Sequence, residues 1–406
     1  MNTAQYLQVL DKEDHFNLRR AIERLRVGLF DPLAVRLLTA REQRLNQTID
    51  QGLKQIESGI APHLCICGSY GQGKSHSLVY IKDRARSTHF VTSMINLDLR
   101  ELPLHNFRQV YRALMRSLRF PDTEATLASH WRKWAKERLS SQTNLQDETA
   151  HLLPPEIPHL FRSILVAIAQ KNISLSDRQK QLKKHAGFRP GEIPSLLERA
   201  LTGEVVPVNR LRNALKYRQV PFYKNGSLSY KGTDIFIQMI QGVAKLFRQM
   251  GYCGWVILFD EGESITQLRI SARARSYRIL DRLFALQGSA SGLYPVFAFT
   301  DDFFKCVQEE DYERTRIRRD QETPYFSQNY FNLWNGLTVH RLQDLSRQEW
   351  DELAERLLHL YVKAFKWQPA EDHILQKMRG RITELLGEET RYILKALVEQ
   401  LDVLAF

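Results

Sequence analysis

Cysteine is scarce: the 406 residues hold four, Cys65, Cys67, Cys253 and Cys306. So few thiols exclude a disulfide-built scaffold. Cys65 and Cys67 stand two apart in an apolar run, so on a strand they would share one face. A metal site there would need two further ligands nearby, and the sequence supplies none. They read as buried core thiols in a reducing compartment. No run of about eighteen apolar residues occurs, which removes a membrane-spanning helix. The N-terminus, MNTAQYLQVLDKEDHF, lacks a basic stretch followed by an apolar core and is no secretory signal. The expectation is a cytoplasmic protein. Internal repeats and low-complexity tracts are absent too.

What is present is an ordinary globular mix, 43% hydrophobic and 26% charged. The length suggests about two or three packed units. Lys and Arg outnumber Asp and Glu, 58 to 46, for a net charge of +12. Such a balance suits a polyanionic partner, most often nucleic acid, and is equally a generic surface property.

Residues 14–59 read as helical, with apolar positions such as Ile22, Leu25, Leu33 and Leu37 at helical spacing and interruptions near Gly28 and Pro32. Residues 63–67 are a short apolar run entering a glycine-rich loop, with a helix from Lys74. Residues 90–97 are β-prone and 105–119 helical. From 121 to 230 no long β-run appears, and prolines divide the stretch into short helical pieces. It carries 17 Lys plus Arg against 10 Asp plus Glu. The β/α pattern then returns, with helix at 232–250, strand at 255–260, helix at 264–288 and strands at 293–299 and 337–341. From 346 the chain reads as helical to its end. Strands alternating with helices predict a parallel sheet covered on both faces.

Residues 68–75, Gly68-Ser69-Tyr70-Gly71-Gln72-Gly73-Lys74-Ser75, fill every specified position of G-x-x-x-x-G-K-[ST], between a strand and a helix. Glycines let the backbone N–H groups converge on phosphate oxygens. Lys74 reaches the β- and γ-phosphates, Ser75 offers a hydroxyl to Mg²⁺, and the helix beginning Lys74-Ser75-His76 points its positive end at the anion. The implied ligand is ATP with Mg²⁺. A chance glycine turn is the bland alternative, and the strand-loop-helix context opposes it.

Trp255-Val-Ile-Leu-Phe-Asp260-Glu261 is an apolar strand ending in two acids. Asp260 is the expected metal carboxylate, acting through water, and Glu261 the general base that polarises the attacking water. A strand ending in a polar turn is the plainer reading. Glu263 is expected to start the next helix, where an acid suits the dipole.

Strand 293–299 ends at Thr300, which would hold the attacking water, cap the helix that Thr300-Asp-Asp-Phe-Phe opens, or do both. Arg391, on the last helix, would fold over the γ-phosphate from a helical lid or lie solvated. An arginine finger from a neighbouring subunit would come from Arg273, Arg275 and Arg278 or from Arg314, Arg316, Arg318 and Arg319. Both clusters also suit a solvated face or a phosphate-backbone patch.

These blocks, RLRVGLFDPLAVRLLTAREQRL, GSYGQGKSH, NFRQVYRALMRSL, WVILFDEGES, GLYPVFAFTDDFF and GEETRYILKALVEQLD, resemble the ATP-binding proteins of BREX-type bacterial phage-defence systems. More broadly the chain is similar to the initiator branch of AAA+ ATPases. The likeness spans about 18–119 and 232–403. It implies an α/β fold, a P-loop AAA+ core with a five-stranded parallel sheet, a helical insertion and a C-terminal helical lid. The regions expected are 1–120, with the N-terminal helices and the first half of the core; 121–230, the insertion; 231–343, the second half of the core; and 344–406, the lid. The resemblance also implies that Arg41 and its neighbours lie by the adenine, with Thr300 and Arg391 as the two nucleotide sensors. Ser75 stands where such proteins often carry Thr. The initiator branch normally continues into a winged-helix domain, whereas 344–406 reads as lid alone, which weighs against autonomous, sequence-specific DNA binding.

The leading expectation is an ATP-hydrolysing protein acting on double-stranded DNA or a DNA-bound complex, with other defence proteins, as a homo-oligomer or hetero-complex and without a membrane. The alternative is a nucleotide-operated signalling switch with slow turnover that recruits an effector. A small-molecule P-loop kinase is disfavoured by the long insertion and the distant acidic strand.

Overall fold

The apolar runs form one parallel sheet. In a computed structural model, which describes residues 3–29, 31–39, 42–138, 150–170, 187–189, 191–218, 220, 232–285, 292–317 and 328–405, the strands are β1 (Leu64–Cys67), β2 (Val91–Asn96), β3 (Trp255–Asp260), β4 (Leu293–Phe299) and β5 (Val339–Arg341). Their order is β2-β3-β4-β1-β5, with every pairing parallel. β3 and β4 are buried along their whole length, as expected of strands covered on both faces. Alternation divides the sheet between two cores. Cys65, Cys67, Trp255, Ile257, Phe259 and Phe297 face one of them. Leu64, Ile66, Val256, Leu258, Val296 and Ala298 face the other. Both thiols of β1 are therefore buried on one face, as their spacing requires. Burial raises the Cys65 thiol and pushes Cys67 up to about 12, so both stay protonated and inert.

Four helices precede the sheet: α1 (Thr3–Lys12), α2 (His15–Arg26), α3 (Pro32–Leu38) and α4 (Glu42–Glu57). α1 lies before the stretch read as helical. Its two buried anchors, Tyr6 and Leu10, are one turn apart, too few to announce a period. Asp31 sets the start of α3: its carboxylate accepts from Leu33 N–H at 2.9 Å and Ala34 N–H at 3.4 Å, and Pro32 occupies the first turn. The chain continues through α5 (Lys74–Ser87) and α6 (Phe107–Arg116). Among its described residues the basic stretch holds the short helices α7 (Leu127–Arg138), α8 (His159–Ala169), α9 (Glu192–Leu201) and α10 (Val208–Tyr217), whose buried residues join the first core.

After α11 (Asp234–Gln249) and β3, the expected helix at 264–288 is two elements, a 3₁₀ turn over Gly262–Gln267 and α12 (Ile270–Phe284). The reason is local. Glu261 takes a left-handed conformation, φ 58°, and Gly262 packs on β4, where a Cβ would lie 2.6 Å from the Phe299 ring and 2.7 Å from Ala298 O. An α-helix cannot start until the chain clears that strand. α13 (Asp301–Ile317) and the short α14 (Tyr330–Leu333) lead to β5.

The helical tail is three helices, α15 (Arg347–Phe365), α16 (Glu371–Glu384) and α17 (Thr390–Ala405). Ser346 and Glu349 form a capping box at the start of α15, and Lys366 (φ 53°) ends it. These helices share a third core with α1–α3, including Ile22, Leu37, Leu358 and Leu397. Residues far apart in sequence join here. The Tyr6 hydroxyl donates to Arg356 O at 2.5 Å, and Arg26 holds Asp402 through Nε and Nη2, both at 2.8 Å. The N-terminal helices thus pack with the C-terminal ones, and the cavity described below lies where this third core meets the sheet.

Candidate functional site

The parallel sheet brings the C-terminal ends of β1, β3 and β4 to one edge, the usual place for a ligand in such sheets. β4 separates β1 from β3. The phosphate loop leaves β1 at Gly68, whose N–H donates to Phe299 O at 3.3 Å. Gly73 has φ 92°, and α5 begins at Lys74, so its free N–H groups open onto the loop. Lys74 is buried and its Nζ donates to Gly68 O at 3.1 Å and Ser69 O at 3.0 Å. Tyr70, at the loop tip, is exposed.

A cavity of about 460 Å³ opens above the loop, within the range of ligand pockets. The loop from Tyr70 to His76 forms its floor, with Asp260, Glu261 and Glu263 on one wall. Leu25, Leu29, Leu38, Leu45, Leu353 and Leu394 make an apolar end suited to a flat ring. Thr390 and Arg391 of α17 also line it, with Arg391 beside Gly28. The pocket therefore combines the glycine-rich loop with an apolar lining.

Asp260 is buried at the end of β3, and its Oδ1 accepts from Glu261 N–H at 2.9 Å. The Glu261 carboxyl is raised above its ordinary value by burial and by Asp260 beside it. Ser75 and Asp260 both line the cavity and are hard oxygen donors of the kind Mg²⁺ takes. Among the described residues no cluster of three His, Cys, Asp or Glu side chains is placed to hold a metal alone.

His76 is pushed down to about 4 by burial, so its ring is neutral. Its Nε2 lies 2.8 Å from Thr39 Oγ1, whose own hydrogen is given to Val35 O at 2.5 Å. The imidazole is therefore the donor, and it braces α3 against α5. Arg41 lies outside the described residues, as do Arg318 and Arg319. Its neighbours Thr39 and Arg44 line the cavity.

Thr300 follows β4 and is half-buried. It is not among the cavity-lining residues, and its carbonyl accepts from Phe303 N–H at 3.1 Å. The next residue is the one that reaches the loop: Asp301 accepts from Ser69 Oγ at 3.4 Å and from Arg341 at 3.2 Å. Arg391 lies along Gly28 and 3.8 Å from Glu389, and is more than half exposed. Glu389 itself leans on the loop, for a Cβ at Gly71 would lie 2.5 Å from its Cγ. Of the finger candidates, Arg273 is held within the chain, donating to Thr266 O at 3.1 Å and Leu268 O at 2.6 Å and pairing with Glu310. Arg275 and Arg278 are exposed on α12, and Arg314 and Arg316 lie on α13.

Glu263 was expected at a helix start. It does stand in the first turn of the 3₁₀ segment, but its side chain turns back to the loop, 3.9 Å from Lys74 Nζ. Burying an ammonium without a counter-charge costs several kcal/mol, on the order of a whole domain's margin, and Glu263 supplies one. Its closeness to Asp260 and Glu261 in sequence was the available signal.

The parallel sheet and the loop between β1 and α5 define a P-loop nucleotide-binding protein. The chain belongs to the family described as BREX system ATP-binding protein BrxC/D, whose sequence profile matches residues 17–175 and 232–406. No curated protein matches the chain. Among solved structures, the Walker-type ATPase paby2304 of Pyrococcus abyssi is similar at 11% identity and a TM-score of 0.38, covering 90% of this chain and 69% of that one. No helix among the described residues is long and apolar enough to cross a membrane.

Proposed function

We propose that the cavity takes ATP with Mg²⁺, that the chain hydrolyses ATP, and that turnover drives work on DNA or a DNA-bound complex in phage defence. The observation that carries this reading is that Lys74, Ser75, Asp260 and Glu261 line one cavity together with Thr390 and Arg391 of α17. Ser75 and Asp260 would hold the metal, which neutralises phosphate charge when bound. Lys74 would leave its carbonyl partners for the β- and γ-phosphates. Glu261 would take the proton of the attacking water, a role its raised pKa suits. Arg391, which lines the cavity, would report the γ-phosphate from α17, and Thr300, just after β4 and outside the lining, would do so by moving toward the cavity on nucleotide binding. A neighbouring subunit would supply an arginine finger from Arg275 and Arg278 or from the cluster at Arg314, Arg316, Arg318 and Arg319, worth about 10³–10⁵ in rate.

The DNA part of the reading is supported by the net charge of +12 and by the exposed arginines of α12. The test is steady-state ATP hydrolysis with and without double-stranded DNA, beside Glu261→Gln, with mass measured in parallel. DNA-stimulated turnover, with a larger ATP-bound assembly trapped by the variant, is expected. Slow turnover blind to DNA, with assembly driven by ATP alone, would replace it with the signalling-switch reading.

A further inference from the structure

Glu263 has no part in the scheme above, yet it faces the same cavity. Three features set it apart from a turn-capping acid. Its carboxylate lies 3.9 Å from Lys74 Nζ, with both side chains largely shielded. Its other oxygen, Oε2, is buried and has no hydrogen-bond partner among the described residues. The turn that aims it is costly to build, since Glu261 is left-handed and Gly262 is pressed on β4. A buried, unpartnered carboxylate oxygen is normally eliminated or satisfied. One retained in a cavity is satisfied by what the cavity takes up.

From this geometry we infer that Glu263 makes ATP binding depend on the accompanying divalent cation. It is the counter-charge of Lys74 in this structure, and with Mg·ATP bound it would present a carboxylate to the metal ion. It is a positioning residue, and the inference rests on the reading of the cavity as an Mg·ATP site. The physical reason is charge balance. When phosphates draw Lys74 away from the loop carbonyls, Glu263 loses its cation and stands near polyphosphate. Two like charges at such range in a protein interior repel strongly. ATP alone meets that repulsion, whereas ATP with Mg²⁺ brings a cation for the carboxylate to face. Asp260, Glu261 and Glu263 together then discriminate against the metal-free nucleotide.

The experiment is isothermal titration calorimetry of the full chain with ATP, in excess magnesium chloride and in EDTA, for wild type, Glu263→Gln and Glu263→Asp. For wild type, magnesium should tighten binding strongly. Glu263→Gln should bind metal-free ATP about threefold to tenfold more tightly than wild type, and its gain from magnesium should shrink about tenfold, a change of about 1.4 kcal/mol in coupling. Glu263→Asp, which keeps the charge, should retain most of the magnesium gain and so separates a charge effect from a folding one. Equal weakening of the Gln variant in both buffers would mark a merely structural residue and overturn the inference, as would no change in either. Wild-type protein that binds ATP in neither buffer would instead remove the Mg·ATP reading itself.

Discussion

Gln72 ties the phosphate loop to the joint that carries the C-terminal helices: its Nε2 donates to Asp344 Oδ1 at 2.7 Å, while its Oε1 accepts from Ser69 N–H at 2.7 Å. Asp344 lies between β5 and α15. Nearby, Leu342 N–H donates to Cys67 O at 2.7 Å, so the same joint also continues the edge of the sheet. A loop that tightens around phosphate would pull on this joint through one side chain, which gives nucleotide occupancy a mechanical route to α15–α17.

If that route operates, Gln72→Ala and Asp344→Ala should not act independently. A hydrogen bond to a charged, partly solvated acceptor is worth about 1 kcal/mol, or roughly fivefold in affinity. In a double-mutant cycle read by the ATP dissociation constant, each single variant should weaken binding by about that factor, and the double variant little further. Free energies that add to within about 0.3 kcal/mol would show no coupling.

Lys74→Ala should leave the fold intact and remove the response to nucleotide. A ligand that binds only the native state at about 100 times its dissociation constant stabilises by roughly 2.7 kcal/mol. Thermal melting of wild type should therefore rise by several degrees with Mg·ATP, and the variant should melt at one temperature with or without it. Full retention of the shift would place ATP elsewhere.

Gly262→Ala tests whether the turn after β3 is as constrained as the packing suggests. The added methyl would meet the Phe299 ring and Ala298 O inside 3 Å, and both belong to a buried central strand. Overpacking of this kind costs about 1–3 kcal/mol. The urea midpoint should fall accordingly, and ATP affinity should fall with it because Asp260, Glu261 and Glu263 all flank the turn. Unchanged stability would mean the strand yields easily.

Central strands were legible because they are buried on both faces: 255–260 and 293–299 stand in the fold with the bounds their apolar runs predict. The phosphate loop was legible because its spacing is its chemistry. Edge strand β5, exposed and three residues long, gave only a partial signal. Other features are invisible to periodicity. Glu263 reads as a helix-starting acid until the left-handed Glu261 turns it toward Lys74. The Gln72–Asp344 and Tyr6–Arg356 contacts join residues hundreds of positions apart. So does the third core, where α1–α3 meet α15–α17. No local pattern encodes which amphipathic helix covers which.

That third core carries its own pH signature at Asp402. Burial acts to raise this carboxyl, but Arg26 and the Tyr361 hydroxyl, which donates at 2.7 Å, outweigh it and hold the group below its ordinary value. The unfolded chain therefore takes up a proton at higher pH than the folded one. The stabilisation is fully present above the unfolded carboxylate value near 3.9 and is lost as pH falls through the lower folded value. Asp402→Asn should be less stable than wild type by about 1–2 kcal/mol at neutral pH, the scale of charge-assisted hydrogen bonds in a partly shielded site. As pH falls below about 4 the gap between the two proteins should narrow, closing only below the folded value. Urea unfolding from neutral pH to about pH 3 reads this directly. A deficit that stays constant across the range would mean the carboxylate charge contributes nothing, and that Asp402 joins α2 to α17 through packing alone.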